Sequence, residues 1–188
     1  MSIEEEYMRA LAQFRHQKDD FFHDGEQSPI PEEERATFKG LRYYPALYAM
    51  RIVARIEHLP NPEHIKMATS DGASRLFARA AILRFTIDGH AAQLTGYRSA
   101  DDPEDDGKSY FIPFRDALSG KETYGAGRYL DVEEEQAPDG TPIVVLDFNL
   151  AYNPYCAYNE NYSCPITPKE NKLEWAVYAG ERIYHEQP

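Results

Sequence analysis

The dipeptide Asp88-Gly89 stands between two runs rich in β-forming residues, ILRFTI and HAAQLTGY. Asp-Gly readily adopts the positive φ angles of a two-residue type I′ turn, so residues 75–97 are predicted to form a β-hairpin. Other short runs bounded by turn residues predict strands at 48–59, 64–70, 109–114, 127–132, 141–150 and 174–180. The sequence LPNPE is interpreted as the turn between the first two of these strands.

A helix is predicted at the start of the chain, from about residue 3 to 23, with Ser2 as its N-cap and three glutamates in its first turn. Apolar residues at helical spacing are expected to pack this helix against the body; they are Ile3, Tyr7, Leu11, Phe14 and Phe21. A second stripe is interpreted as a solvated face with an i,i+4 ion pair; it comprises Arg15, Lys18, Asp19 and Phe22.

After this helix, residues 24–36 form a connector with two prolines, and helical periodicity then largely disappears. One terminal helix followed by short strands and frequent turns indicates a mainly β fold. We therefore predict an antiparallel β-barrel or sandwich with an N-terminal α-helix and a long ordered C-terminal loop. The 188 residues suit a single domain, 1–188, with helix 1–23, connector 24–36 and β-rich body 37–188.

The net charge of −12 and the acidic runs at 32–34, 101–106 and 133–135 are unlike the basic footprint of a nucleic-acid-binding protein. The chain has no apolar run of about 18 residues and no signal-like start, so we expect no membrane span and a cytoplasmic location. In that compartment its two cysteines are expected to be thiols and not a structural bridge.

Two glycine-containing stretches fail the nucleotide-binding motifs that they resemble. Gly125-Ala126-Gly127 lacks the third glycine of a dinucleotide motif because position 130 is Leu, and Gly120-Lys121 is followed by Glu where a P-loop needs Ser or Thr. The six histidines are scattered without ligand spacing. We therefore expect neither a cofactor nor a bound metal.

The stretch 113–131 contains two arginines, Arg115 and Arg128, beside a glycine-rich turn and Tyr124. An arginine next to glycines can hold a carboxylate or phosphate in a bidentate manner, so these three residues are candidate ligand-binding residues. The alternative is an arginine that pins a loop through a salt bridge to Asp116 or Asp131.

Strand 141–150 ends in Asp147-Phe148-Asn149 and runs into a segment, 152–171, that holds four tyrosines and four asparagines. Asp147 at a strand end is a candidate general base, and Asn149 and Tyr152 are candidate ligand-binding residues. The alternative is that Asp147 caps a turn or forms an ion pair.

Seven residues separate Cys156 from Cys164 in the same segment. Structural zinc sites have cysteines two to four residues apart, and a catalytic thiol needs a nearby base, whereas no histidine is local. Cys156 is the candidate nucleophile, and the favoured alternative is a pair of thiols that pack an ordered loop.

Three blocks of the sequence resemble the bacterial and archaeal family known as domain of unknown function 1684. They are FKGLRYYP (38–45), PFRDALSGKETYGAGRYLD (113–131) and LDFNLAYNPYCAYNENYSCPITPKENKLEWAVYAGER (146–182), and FRHQKDDFF and SPIP also match the family's N-terminal pattern. Ala126 departs from this pattern, where a glycine is expected. Some members carry signal-like N-termini that this chain lacks, so the resemblance favours a structural role for the cysteines.

The family has no assigned activity, and the resemblance serves to direct attention to particular residues. These are Arg15, Lys18, Asp19, Arg115, Asp116, Tyr124, Gly125, Gly127, Arg128, Tyr129, Asp147, Asn149, Tyr152, Asn153, Cys156, Tyr158, Cys164 and Asn171.

Three functional hypotheses follow from these residues. The leading one is a small-ligand-binding β domain whose site, lined by the arginines and tyrosines, takes an anionic ligand. The second is an enzyme of hydrolase or transferase type that uses Asp147 or Cys156. The third is an interaction module that presents the tyrosine-rich loop to a protein partner.

Overall fold

In the computed structural model, which describes residues 1–102 and 106–185, six antiparallel strands close into a barrel. Each strand pairs with the next, and the last pairs with the first. The strands are β1 (Arg51–Ala68), β2 (Ser74–Ile87), β3 (His90–Ser99), β4 (Ser109–Phe114), β5 (Arg128–Gln136) and β6 (Pro142–Asp147). The predicted mainly β fold with an N-terminal helix is confirmed as a barrel. The acidic run at 101–106 lies partly outside the described residues.

The predicted hairpin is confirmed as β2 and β3. Its turn is Asp88-Gly89, with φ angles of 48° and 78°, and Ile87 pairs with His90 on either side of it. A type I′ turn requires a positive φ at both central residues, and Asp-Gly adopts such angles readily. The hairpin therefore follows from local sequence alone.

The predicted turn at LPNPE is wrong, because β1 runs through it without a break. The pairing of β1 with β2 instead shifts register between His58 and Glu63. Pro60 and Pro62 lie within this irregularity. Prolines cannot donate to a ladder, and a bulge admits them without ending the strand. Residues 48–50, predicted as strand, form a 3₁₀ turn before β1.

The predicted strand at 174–180 is also wrong, since this segment joins no sheet. Two buried side chains provide hydrogen-bond partners for its backbone instead. The Val177 amide donates to Asp116 Oδ2 at 2.9 Å, and the Arg128 guanidinium donates to the carbonyls of Val177, at 3.0 Å, and Ala179. A buried backbone must find hydrogen-bond partners, and here an ion pair supplies those that a neighbouring strand would otherwise offer.

Buried side chains that alternate along the strands pack together in the barrel interior. Leu83, Ile112 and Leu146 are fully buried there. The C-terminal segment adds Val177 and Ala179 to the same cluster. The segment 174–180 is thus part of the core although it is not a strand.

The N-terminal helix α1 (Ile3–Asp24) begins as predicted with a Ser2 capping box, in which Ser2 and Glu5 exchange hydrogen bonds. A shorter helix, α2 (Glu32–Arg35), lies within the connector. The predicted apolar stripe meets the body only in part, since Leu11 is buried and Tyr7 half-buried, whereas Ile3, Phe14 and Phe21 are exposed.

The stripe interpreted as solvated also contacts the body, and its Phe22 is buried. Arg15 donates to the carbonyls of Tyr44 and Asn149 at 3.1 and 3.3 Å. Lys18 meets the buried carboxylate of Glu181 at 2.5 Å, and Asp19 accepts from the Leu41 amide at 2.9 Å. The surface beneath α1 presents carbonyls and a carboxylate, so charged side chains are its complement.

Replacing Arg128 with Met is expected to lower the free energy of unfolding by about 3–5 kcal/mol, because Asp116 would remain buried without its counter-charge. Urea denaturation followed by circular dichroism measures the change. Arg84, an exposed arginine paired with Glu57, is the matched control, and Arg84→Gln should change stability by about 0.5 kcal/mol or less. Equal effects of the two substitutions would contradict the role given to Arg128.

Gly127→Ala is expected to cost about 2–5 kcal/mol of stability, because φ is +106° and a Cβ would lie 2.5 Å from the Phe114 carbonyl oxygen. Gly72 is the matched control, since its φ is +83° but nothing lies within 4 Å of an added Cβ. Gly72→Ala should therefore cost only about 1–2 kcal/mol. The same urea titration separates backbone strain from steric overlap, and similar losses at both sites would disprove the close approach.

Candidate functional site

The two candidate arginines do not converge on one site. Arg128 is 1% exposed and donates to Asp116, at 3.0 Å, and to three backbone carbonyls, so no ligand can reach it. Arg128 therefore forms the structural salt bridge with Asp116 that was the alternative to ligand binding. Arg115 lies on the surface just after β4, and its backbone pairs with the C-terminal segment at Asn171 and Leu173.

Asp147 and Asn149 lie beneath α1 and are occupied by structural hydrogen bonds. Asp147 accepts from Arg51 Nε at 3.2 Å and from the Tyr7 hydroxyl at 3.0 Å. Asn149 donates to the Leu47 carbonyl and accepts from the Leu47 amide, at 2.8 and 3.0 Å. Asp147 therefore forms an ion pair with Arg51, which is the alternative to its role as a general base.

The remaining candidates line two concavities whose walls share the loop 152–165. Tyr124 and Cys156 face the first, a cavity of about 810 Å³ that we call the acidic cavity. Among its described lining residues, four are glutamates and one is a histidine, and none is lysine or arginine. The cavity is lined by Pro31, Glu32, Glu33, Glu34, Tyr124, Cys156, Ala157, Tyr158, Asn159, Glu160, Asn161, Ile183 and His185.

Tyr152 lines the second concavity, a groove of about 560 Å³ that we call the tyrosine groove. Six aromatic rings and two prolines make most of its surface. The lining residues are Arg75, Phe77, Phe111, Tyr129, Tyr152, Pro154, Tyr155, Tyr162, Ser163, Cys164 and Pro165. The outward faces of β2, β4 and β5 thus meet the loop 152–165 in one groove.

Four of the six rings of the groove contact one another in series. Phe77 stacks on Phe111 with ring centres 5.6 Å apart, and Phe111 meets the edge of Tyr129 at 4.7 Å. Tyr129 in turn meets Tyr152 at 5.7 Å. Such contacts fix ring orientation, because offset and edge-to-face pairs are favoured geometries.

The two inner tyrosines of the groove are held as neutral phenols. Burial raises the pKa of both Tyr129 and Tyr152, and nearby Cys164 and Asp131, respectively, reinforce the effect. The Tyr129 hydroxyl donates to the Pro165 carbonyl, and the Tyr152 hydroxyl donates to Asp131 Oδ2 at 2.6 Å. The two phenols therefore carry no negative charge themselves.

Arg75 on β2 is the cation at the rim of the groove and is the residue that the sequence did not reveal. One of its guanidinium nitrogens donates to the Ser163 carbonyl at 2.7 Å, and the side chain is otherwise exposed. Nothing near Arg75 in the sequence marks it, because Ser163, the residue that it contacts in the groove, lies 88 positions further along the chain. The sequence marks Tyr155 and Tyr162 only as members of a tyrosine-rich segment.

Cys156 and Cys164 are both free thiols, and the two residues are in contact. The Cys156 amide donates to Cys164 Sγ at 3.2 Å, and the Tyr124 hydroxyl lies 3.6 Å from Cys156 Sγ. The hydrogen bond with the Cys164 side chain lowers the pKa of Cys156 to about 6, against the effect of burial, and Tyr124 and Ser70 lower it further. The hydrogen bond with the Cys156 side chain raises the pKa of Cys164, and burial raises it as well.

Two further properties concern metals and membranes. Over residues 1–102 and 106–185, no three His, Cys, Asp or Glu side chains are grouped so that they could hold a metal ion. In the same ranges no helix combines the length and apolarity required to cross a bilayer.

The family described as "Protein of unknown function (DUF1684)" matches residues 36–182. The chain is also similar to an uncharacterized protein of Haloarcula marismortui, known from a solution NMR structure, with 39% sequence identity, a TM-score of 0.71 and 95% of each chain covered. No curated protein matches the chain. The family match spans all three sequence blocks on which the resemblance rested, which is thereby confirmed. The chain belongs to the DUF1684 family of proteins of unknown function.

Proposed function

We propose that this protein binds a small ligand in the tyrosine groove, and that the ligand has a flat apolar part and an anionic group. The observation that carries the proposal is a groove lined by six aromatic rings with one arginine at its rim. Its volume of about 560 Å³ lies in the usual range for small-molecule sites, about 300–1,000 Å³. The proposal keeps the anionic ligand expected from the sequence, but places it beside Arg75 and not beside Arg115 and Arg128.

The rings favour a flat ligand. Tyr152, Tyr155 and Tyr162 place the faces and edges of their rings along one wall, with Tyr155 and Tyr162 5.2 Å apart at 80°. Aromatic side chains gain about 0.5–1.5 kcal/mol from such pairings beyond the area they bury. A planar ring packed against these tyrosines would gain both.

Arg75 favours an anionic group on that ligand. Its guanidinium presents a rigid fork of five N–H donors, of which the Ser163 carbonyl occupies part. Carboxylates and phosphates pair with such a fork through two parallel hydrogen bonds. The acidic cavity is the less suitable place, because four glutamates would repel an anion.

The two other functional hypotheses have less support. Asp147 faces neither concavity and its oxygens already accept hydrogen bonds from Arg51, Tyr7 and Asn149, so a role as general base has no substrate position beside it. The interaction module requires four exposed tyrosines in the loop 152–165. Tyr158 is buried and Tyr152 and Tyr162 are half-buried, which leaves Tyr155 at 36% exposure.

Binding of anilinonaphthalene sulfonate, a flat aromatic anion, is expected to be saturable with one site per chain, as measured by its fluorescence. Arg75→Gln should weaken this binding about tenfold or more, because a charge-assisted hydrogen bond of about 1.5–3 kcal/mol is lost. The same variant should leave the binding of neutral phenylnaphthylamine unchanged. Tyr155→Ala should weaken both probes.

Arg84→Gln provides the control, since Arg84 is an exposed arginine of the same strand that lies outside the groove. Urea titrations establish that each variant is folded before binding is compared. Equal effects of Arg75→Gln and Arg84→Gln on the anionic probe, or a Tyr155→Ala variant that binds both probes normally, would refute the proposed site.

A further inference from the structure

The loop 152–165 places one thiol in each of the two concavities. Cys156 lines the acidic cavity and Cys164 lines the tyrosine groove. The two residues are nevertheless in contact, because the Cys156 amide donates to Cys164 Sγ at 3.2 Å. Cys156 is half-buried and accessible from its cavity, whereas Cys164 is only 7% exposed.

The groups around the thiols hold them in place. The Tyr124 hydroxyl lies 3.6 Å from Cys156 Sγ and can donate to it. The Cys164 amide donates to the Ser70 hydroxyl at 3.0 Å, and the Ser70 amide donates to the Cys164 carbonyl at 2.9 Å. Cys164 is thus anchored to the turn after β1, while Cys156 has a hydroxyl donor on its open side.

We propose that Cys156 is a nucleophilic thiol that reacts with small neutral hydroperoxides, and that Cys164 is its resolving partner. The arrangement has the three parts that such chemistry needs: a reachable thiol, a hydrogen-bond donor beside it and a second thiol in contact with its residue. Redox-active cysteines are accessible, have low pKa values and often lie next to a resolving cysteine.

The reaction proceeds in two balanced steps. In the first, the Cys156 thiolate attacks the distal oxygen of the hydroperoxide, the O–O bond breaks, and the departing alkoxide or hydroxide is protonated to an alcohol or water. Cys156 becomes a sulfenic acid. In the second, Cys164 sulfur attacks Cys156 sulfur, the S–O bond breaks, and hydroxide leaves as water with the Cys164 proton. Two thiols are oxidised to a disulfide, and one hydroperoxide is reduced.

The charge of the acidic cavity selects the oxidant. Glu32, Glu33, Glu34 and Glu160 line the approach to Cys156 and repel anions such as disulfides of acidic peptides. A small neutral hydroperoxide meets no such barrier. The lowered pKa of Cys156 supports a thiolate at neutral pH despite these carboxylates, since its stabilisation comes from the Cys164 and Tyr124 hydrogen bonds.

The proposal is independent of ligand binding in the tyrosine groove, and its failure would leave that function untouched. Loop packing alone would explain two thiols that are both buried and inert. It gives no reason for one thiol to face a cavity with a phenol hydroxyl beside it.

Hydrogen peroxide added to the whole protein is expected to remove both thiols, measured as loss of iodoacetamide adducts by intact mass spectrometry and restored by dithiothreitol. The product should remain monomeric on a non-reducing gel. In Cys164→Ser the oxidation should stop at a sulfenic acid that dimedone traps, and in Cys156→Ser the remaining thiol should react at least about tenfold more slowly than Cys156 does in the unmodified chain.

The rate of alkylation against pH, measured on the unmodified chain, should be half-maximal at least about one unit below the value of about 8.5 for a free thiol. Tyr124→Phe should slow peroxide oxidation about threefold or more by removing a hydrogen bond to the thiolate. The proposal is overturned if both thiols survive peroxide with an ordinary alkylation profile. It is equally overturned if Cys156→Ser is oxidised at the unmodified rate, or if the disulfide joins two chains.

Discussion

Arg128 points from the start of β5 into the protein interior, where it meets Asp116 with a nitrogen-to-oxygen distance of 3.0 Å and both side chains are about 1% exposed. Burying two charges is costly unless their remaining hydrogen-bonding capacity is used. Here the guanidinium donates to the carbonyls of Val177, Ala179 and Glu181, and Asp116 accepts from the Val177 amide. The pair therefore substitutes for a strand partner and holds the C-terminal segment against the barrel.

The consequences of that anchor extend to both concavities through Glu181. Arg128 fixes the backbone of Glu181, whose buried carboxylate then accepts from Lys18 of α1 at 2.5 Å and from the Tyr158 hydroxyl at 2.6 Å. It also accepts from the Asn153 amide at 2.7 Å, at the start of the loop 152–165. One carboxylate thus ties the helix to the loop whose two sides form the acidic cavity and the tyrosine groove.

This loop gives two neighbouring sites opposite electrostatic characters. On one side the glutamates leave Cys156 in a negatively charged cavity, and a thiolate there depends on hydrogen bonds from Cys164 and Tyr124. On the other side burial keeps Tyr129 and Tyr152 protonated, so Arg75 acts over a neutral aromatic floor. The proposed anionic ligand of the groove and the proposed neutral oxidant of the cavity match these two characters, although a single loop separates the sites.

The sequence by itself determined what depends on neighbouring residues: the capped helix at 3–24, the Asp88-Gly89 hairpin and the mainly β class. It predicted only part of the docking face of α1, because apolar spacing finds apolar contacts such as that of Leu11 but not the carbonyls and the carboxylate that Arg15 and Lys18 meet. It could not distinguish the segment 174–180 from a strand, since Arg128 and Asp116 lie about fifty to sixty positions earlier. Tertiary structure alone decided that Arg128 is structural, that Arg75 lines the same groove as Tyr152 and Tyr162, and that Cys156 lines a cavity. Such contacts join residues distant in the chain, and no local pattern encodes which of them barrel closure brings together.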